Sequence, residues 1–341
     1  MAGDAGATPR PWADPGWAAR AGAWLAAEME RLGRPVTGPL EEVQAWELAC
    51  VLRAPTTAGD VYLKANAPSP AFVNEGVVMA TLARLFGDLV PAPLAVEAER
   101  GWLVLDDFGE ELGWDVPVEV VEDVARTFAR LQVEATAHVG PLLGAGVHDR
   151  RLDRLAAEAA AWLPALEATG RLPGIDRATW LSEDELAALA AAAPRLRAAC
   201  AELEGLAVPP SLVHGDLHLA NVARGPRGYL FFDWTDACVA HPFLDLPTMR
   251  RGSAFAEDDD EDEAELRERL RAAYLPEWAS FGPPARLARA WELAAPLGAL
   301  HQAIGYRSMA AGLRPPVDPH LAQSTAWWLR RVLAGLAAGG A

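Results

Sequence analysis

The most informative part of the sequence is Leu212-Val-His-Gly-Asp-Leu-His-Leu-Ala-Asn-Val222, followed by Tyr229-Leu-Phe-Phe-Asp-Trp234. Its first part is predicted to form a strand end, a tight turn and a second strand, with Asp216 and Asn221 on either side of the turn. Its second part is an apolar strand that ends at Asp233. Two carboxylates and one amide are therefore expected to lie close together.

Phosphoryl transfer needs side chains of these types. One carboxylate orients the attacking hydroxyl and accepts its proton, and a second carboxylate and an amide oxygen hold Mg²⁺ against the triphosphate. The spacing Asp-x4-Asn is also that of the catalytic loop of protein kinases, where these two roles occur. On this hypothesis Asp216 is the catalytic base, Asn221 is a metal ligand and Asp233 is the main metal ligand. The structural alternative is that Asp216 and Asn221 only cap a turn and that Asp233 is a surface acid.

The string His-Gly-Asp-Leu-His-x-x-Asn, followed by Asp-Trp, resembles the aminoglycoside phosphotransferase family, which is related to choline, homoserine and fructosamine kinases. The resemblance extends over most of the chain and is most specific between residues 212 and 246. It implies a protein-kinase-like fold, ATP or GTP as the phosphate donor, two Mg²⁺ ions and a hydroxylated small molecule as the acceptor.

Other positions match the family one by one. Lys64 matches the lysine that binds the α- and β-phosphates, and Glu75 matches the carboxylate that pairs with this lysine, although an ordinary surface glutamate is the alternative. Trp102-Leu-Val-Leu-Asp-Asp-Phe108 resembles the hinge strand, whose backbone meets the adenine, so Asp106 and Phe108 join the predicted nucleotide site.

Three further residues are expected to shape the catalytic loop. Asp245 matches an aspartate that hydrogen-bonds this loop, and His214 and His218 are expected to make local contacts rather than to take part in the chemistry.

Lys64 is also the only lysine in the chain, since the other basic residues among the 30 are all arginines. Arginine has replaced lysine wherever positive charge alone is enough. The retained lysine therefore indicates a position that needs a compact ammonium group, with chance as the alternative.

Outward from this segment the pattern predicts an α+β, protein-kinase-like two-lobed fold. The expected division is an N-terminal helical extension (1–35), a nucleotide-binding N-lobe (36–108) and a helical C-lobe with the catalytic loop and substrate site (109–341). The N-lobe should contain five antiparallel strands and one helix: Glu42–Trp46, Leu48–Ala54, Asp60–Asn66, helix Ala71–Phe86, Ala92–Ala98 and Trp102–Leu105. Helical patterns cover residues 14–33, 117–137, 149–168, 181–204, 263–275, 284–311 and 318–338.

Two departures from protein kinases favour a small acceptor. Gly215 replaces the arginine that receives an activation-loop phosphate, and only eleven residues separate Asp233 from Asp245, which is too few for a peptide-docking activation segment. The first hairpin, Val43-Gln-Ala-Trp-Glu47, has no glycine to cover the phosphates. Either Gln44 and Trp46 cover the nucleotide differently, or the nucleotide is bound loosely.

Composition limits the partners. A net charge of −17 disfavours nucleic acid and anionic lipid and suits a cationic acceptor, unless it serves only solubility. The acidic run Glu257–Glu263 is expected to be a solvated loop or helix entry. Three scattered cysteines, the lack of a signal sequence and the lack of an apolar span of membrane length predict a cytoplasmic protein.

The sequence therefore predicts an ATP- and Mg²⁺-dependent phosphotransferase that acts on a hydroxyl of a small molecule, aminoglycoside-like, amino alcohol or sugar. Two alternatives are a catalytically inactive nucleotide-binding pseudokinase that acts through partners and a protein kinase. The acceptor could lie near four polar residues of an otherwise apolar helix, unless these only make core and surface hydrogen bonds: His301, Gln302, Tyr306 and Arg307.

Overall fold

The computed structural model describes residues 10–225, 228–249, 260–313 and 316–338, with residues 260–263 as backbone only. The strands are β1 (Glu41–Ala45), β2 (Ala49–Thr56), β3 (Gly59–Asn66), β4 (Ala95–Glu97), β5 (Trp102–Asp106), β6 (His148–Asp149), β7 (Ser211–Val213), β8 (Val222–Gly225), β9 (Gly228–Phe231) and β10 (Cys238–Ala240). The α-helices are α1 (Trp17–Arg31), α2 (Glu75–Phe86), α3 (Val118–Ala135), α4 (Val139–Gly144), α5 (Leu152–Trp162), α6 (Leu166–Thr169), α7 (Glu183–Gly205), α8 (Asp260–Tyr274), α9 (Pro284–Gly312) and α10 (Pro319–Ala338). An antiparallel sheet followed by a mostly helical remainder confirms the predicted α+β fold.

The N-terminal sheet has the strand order β1-β2-β3-β5-β4, and all its neighbours are antiparallel. Strands β2 and β3 pair from Ala49–Asn66 to Thr56–Gly59, so the connection between them is shorter than the predicted turn over residues 55–59. Alternation along β3 buries Val61, Leu63 and Ala65 on one face, which leaves Lys64 on the other.

Helix α1 covers the outer face of this sheet. Trp17, Ala21, Leu25 and Met29 recur every fourth residue and are all buried, as the amphipathic pattern predicted. Trp24, which was expected on the same face, is half-buried and lies with its ring centroid 5.6 Å from that of Trp102.

Helix α2 begins at Glu75, four residues later than predicted. The side chain of Asn74 caps it by accepting a hydrogen bond from the Val77 N–H at 3.3 Å. A Cβ atom added to Gly76 would lie 2.8 Å from the Val96 side chain, so glycine lets α2 approach the sheet closely.

The remaining chain is built around the long helices. The predicted helices are present with ends shifted by a few residues, and the pattern over 149–168 divides into α5, the 3-10 turn Leu163–Ala165 and α6. The predicted β-rich segment over 211–232 contains β7, β8 and β9. The sequence missed β10, which pairs antiparallel with β7 and parallel with β6.

The prediction for Glu257–Glu263 lies outside the described residues, apart from the backbone at 260–263, where α8 begins. Cys50, Cys200 and Cys238 are free and buried. Among the described helices, none is both long enough and apolar enough to cross a membrane.

One ion pair fastens the start of α7 to α10. Ser182 and Glu185 form a reciprocal capping box, and the Glu185 carboxylate also accepts a hydrogen bond from Arg330 Nε at 2.7 Å. The bond from Arg330 lowers the pKa of Glu185 from 4.5 to about 2. Because the folded pKa is the lower one, the stabilisation is complete above pH 4.5 and is lost as the pH falls towards 2.

We expect Glu185→Gln to lower the free energy of unfolding at pH 7 by about 0.5 kcal/mol, since the pair is partly solvated. The difference from wild type should shrink to nothing near the folded pKa, as measured by urea unfolding across the pH range. Glu183→Gln, in the same first turn, is the matched control and should show no such trend. A difference that persists at the acid end would show that the charge of Glu185 is not the cause.

Candidate active site

Lys64 lies between two carboxylates. Its Nζ atom is 2.9 Å from Glu75 Oε2 and 2.7 Å from Asp233 Oδ1. The contact expected between the strand lysine and the helix glutamate is therefore present. Asp233 joins it from the end of β9, which brings the predicted nucleotide-binding and metal-binding residues together.

Glu75 is fully hydrogen-bonded at the base of this group. Its Oε2 accepts from Asn66 Nδ2 at 2.8 Å, and its Oε1 accepts from the backbone N–H of Trp234 at 3.2 Å. Burial raises the pKa of Glu75, while the ammonium of Lys64 opposes that rise. Because only 1% of its side chain is exposed, the surface-glutamate alternative is wrong.

Asp233 is held in a strained position. Its φ angle of 62° lies in the left-handed region, which few residues other than glycine adopt. Thr235 Oγ1 donates to Asp233 Oδ1 at 3.0 Å. Burial opposes ionisation, but Lys64 outweighs it and lowers the pKa of Asp233, so the carboxylate is charged.

Asp245 holds the catalytic loop, as predicted. Its Oδ2 accepts from the His214 N–H at 2.9 Å, and its Oδ1 accepts from the Gly215 N–H at 2.8 Å. Gln132 Nε2 donates to the same carboxylate at 3.1 Å. Burial raises the pKa of Asp245 to about 7, and the backbone N–H groups act in the opposite direction.

Gly215 is required by the geometry of this loop. Its φ angle is 86°, and an added Cβ would lie 2.5 Å from the backbone oxygen of Asp236. Gln302 Nε2 donates to the Gly215 carbonyl at 2.6 Å. The glycine that distinguishes this chain from protein kinases therefore has a steric cause.

Asp216 and Asn221 are joined across the turn. Asn221 Nδ2 donates to the backbone oxygen of Asp216 at 2.9 Å, which orients the amide. The backbone oxygen of Asn221 accepts from the Phe232 N–H at 3.1 Å and so ties the loop to the end of β9. The Asp216 carboxylate remains 40% exposed and can therefore meet a substrate.

The two histidines of the loop differ in their surroundings. His214 Nε2 lies 2.9 Å from the Phe232 carbonyl, and burial lowers the pKa of His214 to about 4, so the ring is neutral and structural, as expected. His218 stacks on Trp114 with ring centroids 4.5 Å apart. The same ring lies 3.4 Å from Asp216 Oδ2, a contact that the sequence did not reveal. Burial opposes protonation, but the charge of Asp216 outweighs it and raises the pKa of His218.

The oxygen atoms of Asp233 and Asn221 fit a magnesium ion. Mg²⁺ prefers oxygen ligands and is commonly held by one or two protein groups together with substrate phosphates and water. Asn221 uses its Nδ2 in the bond to Asp216, which leaves its side-chain oxygen for such a role.

Asp106 and Phe108 lie in the predicted hinge. One oxygen of the Asp106 carboxylate binds Arg34, and the side chain remains about half exposed. The Phe108 ring centroid is 5.0 Å from that of Phe232, which places the predicted hinge next to the predicted metal-binding segment.

The four polar residues of α9 have structural contacts, which supports the structural alternative for this set. His301 and Gln302 are buried, Tyr306 is hydrogen-bonded to Ser324, and Arg307 binds Glu158.

Sequence reasoning missed two site residues. Asp236 is linked to Asp233 through Thr235, whose Oγ1 also lies 3.1 Å from Asp236 Oδ2. Burial and then the charge of Asp216 raise the pKa of Asp236 to about 7. Asn66 could have been predicted from the sequence, because a residue two positions after Lys64 on a strand lies on the same face of the sheet as Lys64.

We expect Gly215→Ala to destabilise the protein by about 2–3 kcal/mol, because it adds a steric clash to left-handed strain. Gly59→Ala is the matched control, since its φ is 111° but an added Cβ meets nothing within 4 Å. Urea unfolding of both variants separates the clash from the strain. Equal losses in the two variants would show that the contact with Asp236 is unimportant.

The sequence profile of the phosphotransferase enzyme family matches residues 50–286. No curated protein sequence matches significantly.

Several solved structures share the fold. Choline kinase LicA from Streptococcus pneumoniae superposes with a TM-score of 0.61 at 13% identity, covering 94% of this chain and 99% of that one. A macrolide 2'-phosphotransferase type I superposes with a TM-score of 0.56 at 18% identity, covering 90% of this chain and 96% of that one. A spectinomycin phosphotransferase in complex with ADP and spectinomycin superposes with a TM-score of 0.51 at 10% identity, covering 92% of this chain and 98% of that one. These similarities establish the kinase-like fold, and the profile, which spans more than half of the sequence, shows that the chain belongs to the phosphotransferase enzyme family.

Proposed function

We propose that this protein transfers the γ-phosphate of ATP to a hydroxyl group of a small molecule in a Mg²⁺-dependent reaction, with Asp216 as the base. The observation that carries the proposal is the convergence of Lys64, Glu75 and Asp233 beside the loop that holds Asp216 and Asn221. A nucleotide donor is also supported by the ADP complex of the spectinomycin phosphotransferase.

Lys64 is the residue that binds the α- and β-phosphates. Its ammonium is held by Glu75, which is itself fixed by Asn66 and by the Trp234 N–H. Glu75 therefore keeps the lysine in place, whereas Asp233 supplies oxygen atoms for the metal. GTP would contact the same lysine, so the choice between adenine and guanine rests on the backbone at Asp106 and Phe108.

Asp233 and Asn221 would hold the magnesium ion. When bound with the nucleotide, Mg²⁺ neutralises charge on the transferring phosphoryl group. The low pKa of Asp233, caused by Lys64 against the effect of burial, keeps that ligand ionised.

Asp216 orients the acceptor and takes its proton. The acceptor oxygen attacks the γ-phosphorus, the bond to the β–γ bridging oxygen breaks, ADP leaves, and the hydroxyl proton passes to the Asp216 carboxylate. The exposed fraction of this carboxylate and its fixed backbone suit that role.

The acceptor is a small molecule, and a cationic one is favoured. Asp236 places a third carboxyl group next to Asp233, and the chain as a whole carries a charge of −17. An amine-bearing alcohol, an aminoglycoside-like compound or an amino sugar would meet this environment best.

We expect Asp216→Asn to reduce acceptor-dependent ADP release by at least about 100-fold, because the proton acceptor is removed. Affinity for a non-hydrolysable ATP analogue should stay within about twofold, since this side chain does not touch the phosphates. Turnover would be measured with a panel of amino alcohols, aminoglycosides and sugars, and Asp184→Asn on the exposed start of α7 is the control.

Full activity of Asp216→Asn would contradict the assignment of Asp216 as the catalytic base. Tight binding of the analogue by wild type without turnover on any acceptor would instead support the inactive nucleotide-binding alternative.

We expect Lys64→Arg to weaken binding of the ATP analogue by about tenfold despite keeping the charge, because the forked guanidinium is larger than the ammonium and the pocket between Glu75 and Asp233 is narrow. Calorimetric titration measures the change, and the exposed Arg197→Lys serves as the reverse control. Near-normal affinity and kinetics would mean that the single lysine is an accident of composition.

A further inference from the structure

Arg150 is a charged residue beside the candidate active site that the proposed reaction does not use. It directly follows β6, and its backbone N–H donates to the Val239 carbonyl of β10 at 2.9 Å. Within the part of the chain that the structure describes, its guanidinium has no hydrogen bond, ion pair or aromatic partner. The neighbouring carboxylate, Asp149, is bound by Arg151 and Arg154 instead.

This lack of a partner is unusual for an arginine that is half-buried. Every other half-buried arginine among the described residues binds a carboxylate, a backbone carbonyl or an aromatic ring; Arg307, for example, binds Glu158. The fully buried polar atoms that lack a partner include none of the Arg150 nitrogens, so the guanidinium is open to solvent. Its five N–H donors are therefore free to bind a ligand.

Helix α9 places this guanidinium next to the catalytic loop. Gln302 Nε2 donates to the Gly215 carbonyl at 2.6 Å. A Cβ atom added to Gly305, three residues further along α9, would lie 3.8 Å from Arg150 Nη1. Because three residues of a helix rise about 4.5 Å, the guanidinium lies about one turn along α9 from the residue that precedes the proposed base.

Asp236 supplies the opposite charge at the same place. A Cβ atom added to Gly215 would lie 2.8 Å from Asp236 Cβ. Burial and the charge of Asp216 raise the pKa of Asp236 to about 7, and Arg150 acts against this rise through space, without a hydrogen bond. Asp236 Oδ2 lies 3.1 Å from Thr235 Oγ1, whereas Oδ1 has no partner among the described residues and is not fully buried. A cation and an anion are thus both open beside Asp216.

These two groups select for a ligand with both signs of charge. The planar fork of an arginine matches a carboxylate through two parallel hydrogen bonds, and a carboxylate such as Asp236 accepts from an ammonium group. A ligand with only an ammonium group would leave Arg150 unpaired. A ligand with only an anionic group would be repelled by Asp216 and Asp236, and a doubly charged phosphate would be repelled more than a carboxylate.

We propose that the acceptor is a hydroxylated zwitterion, whose carboxylate pairs with Arg150 and whose ammonium group binds Asp236 while its hydroxyl contacts Asp216. This inference rests on the proposed function and narrows the acceptor from amines in general to amines that also carry a carboxylate. Arg150 is then a specificity-determining residue that takes no part in the transfer of the phosphoryl group.

The acceptor test uses two matched series. L-Serine is a zwitterion, L-serinamide lacks the anion, and N-acetyl-L-serine lacks the ammonium group. Muramic acid, glucosamine and N-acetylmuramic acid form the corresponding series of larger compounds. In at least one series we expect the zwitterion to have a kcat/KM for ADP release at least about tenfold above that of each of the other two members, chiefly through a lower KM.

Arg150→Gln tests the position of the carboxylate. It should lower kcat/KM for the zwitterion about tenfold and leave the compound without the anion within about twofold of wild type. Arg150→Lys keeps the charge but not the fork, so it should lose only about threefold. Arg154→Gln is the matched control, because its side chain is 60% exposed and bound to Asp149, and it should change neither compound. Thermal unfolding of each variant verifies that it is folded.

Two results would overturn the proposal and leave the proposed function standing. One is turnover of other acceptors without a preference for the zwitterion in either series. The other is an equal loss for charged and neutralised members in Arg150→Gln, which would mean that Arg150 only offsets the charge of the neighbouring acids.

Calorimetric titration of the same compounds in the presence of a non-hydrolysable ATP analogue measures binding without turnover. We expect the same preference for the zwitterion and the same loss in Arg150→Gln. If this preference is present but no acceptor is turned over, the proposed function is contradicted and the Arg150 site stands. Equal binding of all three members in both series, or no saturable binding of either zwitterion, would overturn the site.

Discussion

A buried ammonium group organises this protein. Taking Lys64 out of water is costly, and the cost is offset only where carboxylates surround the charge closely. Glu75 and Asp233 do so from opposite directions, one from the first turn of α2 and the other from the end of β9. Strand β3, helix α2 and the segment after β9 therefore meet at one point. The two carboxylates outweigh burial and raise the pKa of Lys64, which keeps its charge in place.

The acids around this point divide into two kinds. Glu75 and Asp245 have their oxygen atoms occupied by internal donors, so they position other groups. Asp216 and Asp233 are partly exposed, and Asp233 has a strained, left-handed backbone conformation, so these two carboxylates can contact a ligand. Preorganised donors and acceptors of this kind are what phosphoryl transfer requires, because the protein's task there is chiefly to place charges.

Much of the architecture was predictable, because the periodicity of apolar residues is a local signal. Helices α1, α7, α9 and α10 were located to within a few residues, and the order of strands and helix in the N-terminal sheet was correct. The errors have local causes. The Asn74 cap sets the start of α2, and β10 is only three residues long, too short for alternation to show. The covering of the nucleotide by Gln44 and Trp46 stays a prediction; Val43 and Trp46 are exposed.

The proposed base and metal ligands could be picked out from the sequence alone, because Asp216, Asn221 and Asp233 lie within eighteen residues of one another and their spacing reflects one turn and one strand. The residues that hold them in place are brought together only by the folding of distant parts of the chain. Asp245 lies 30 residues from Gly215 along the chain, Gln302 lies 87 from it, and Gln132 lies 113 from Asp245. Contacts of that range depend on how whole elements pack, and no local pattern records them.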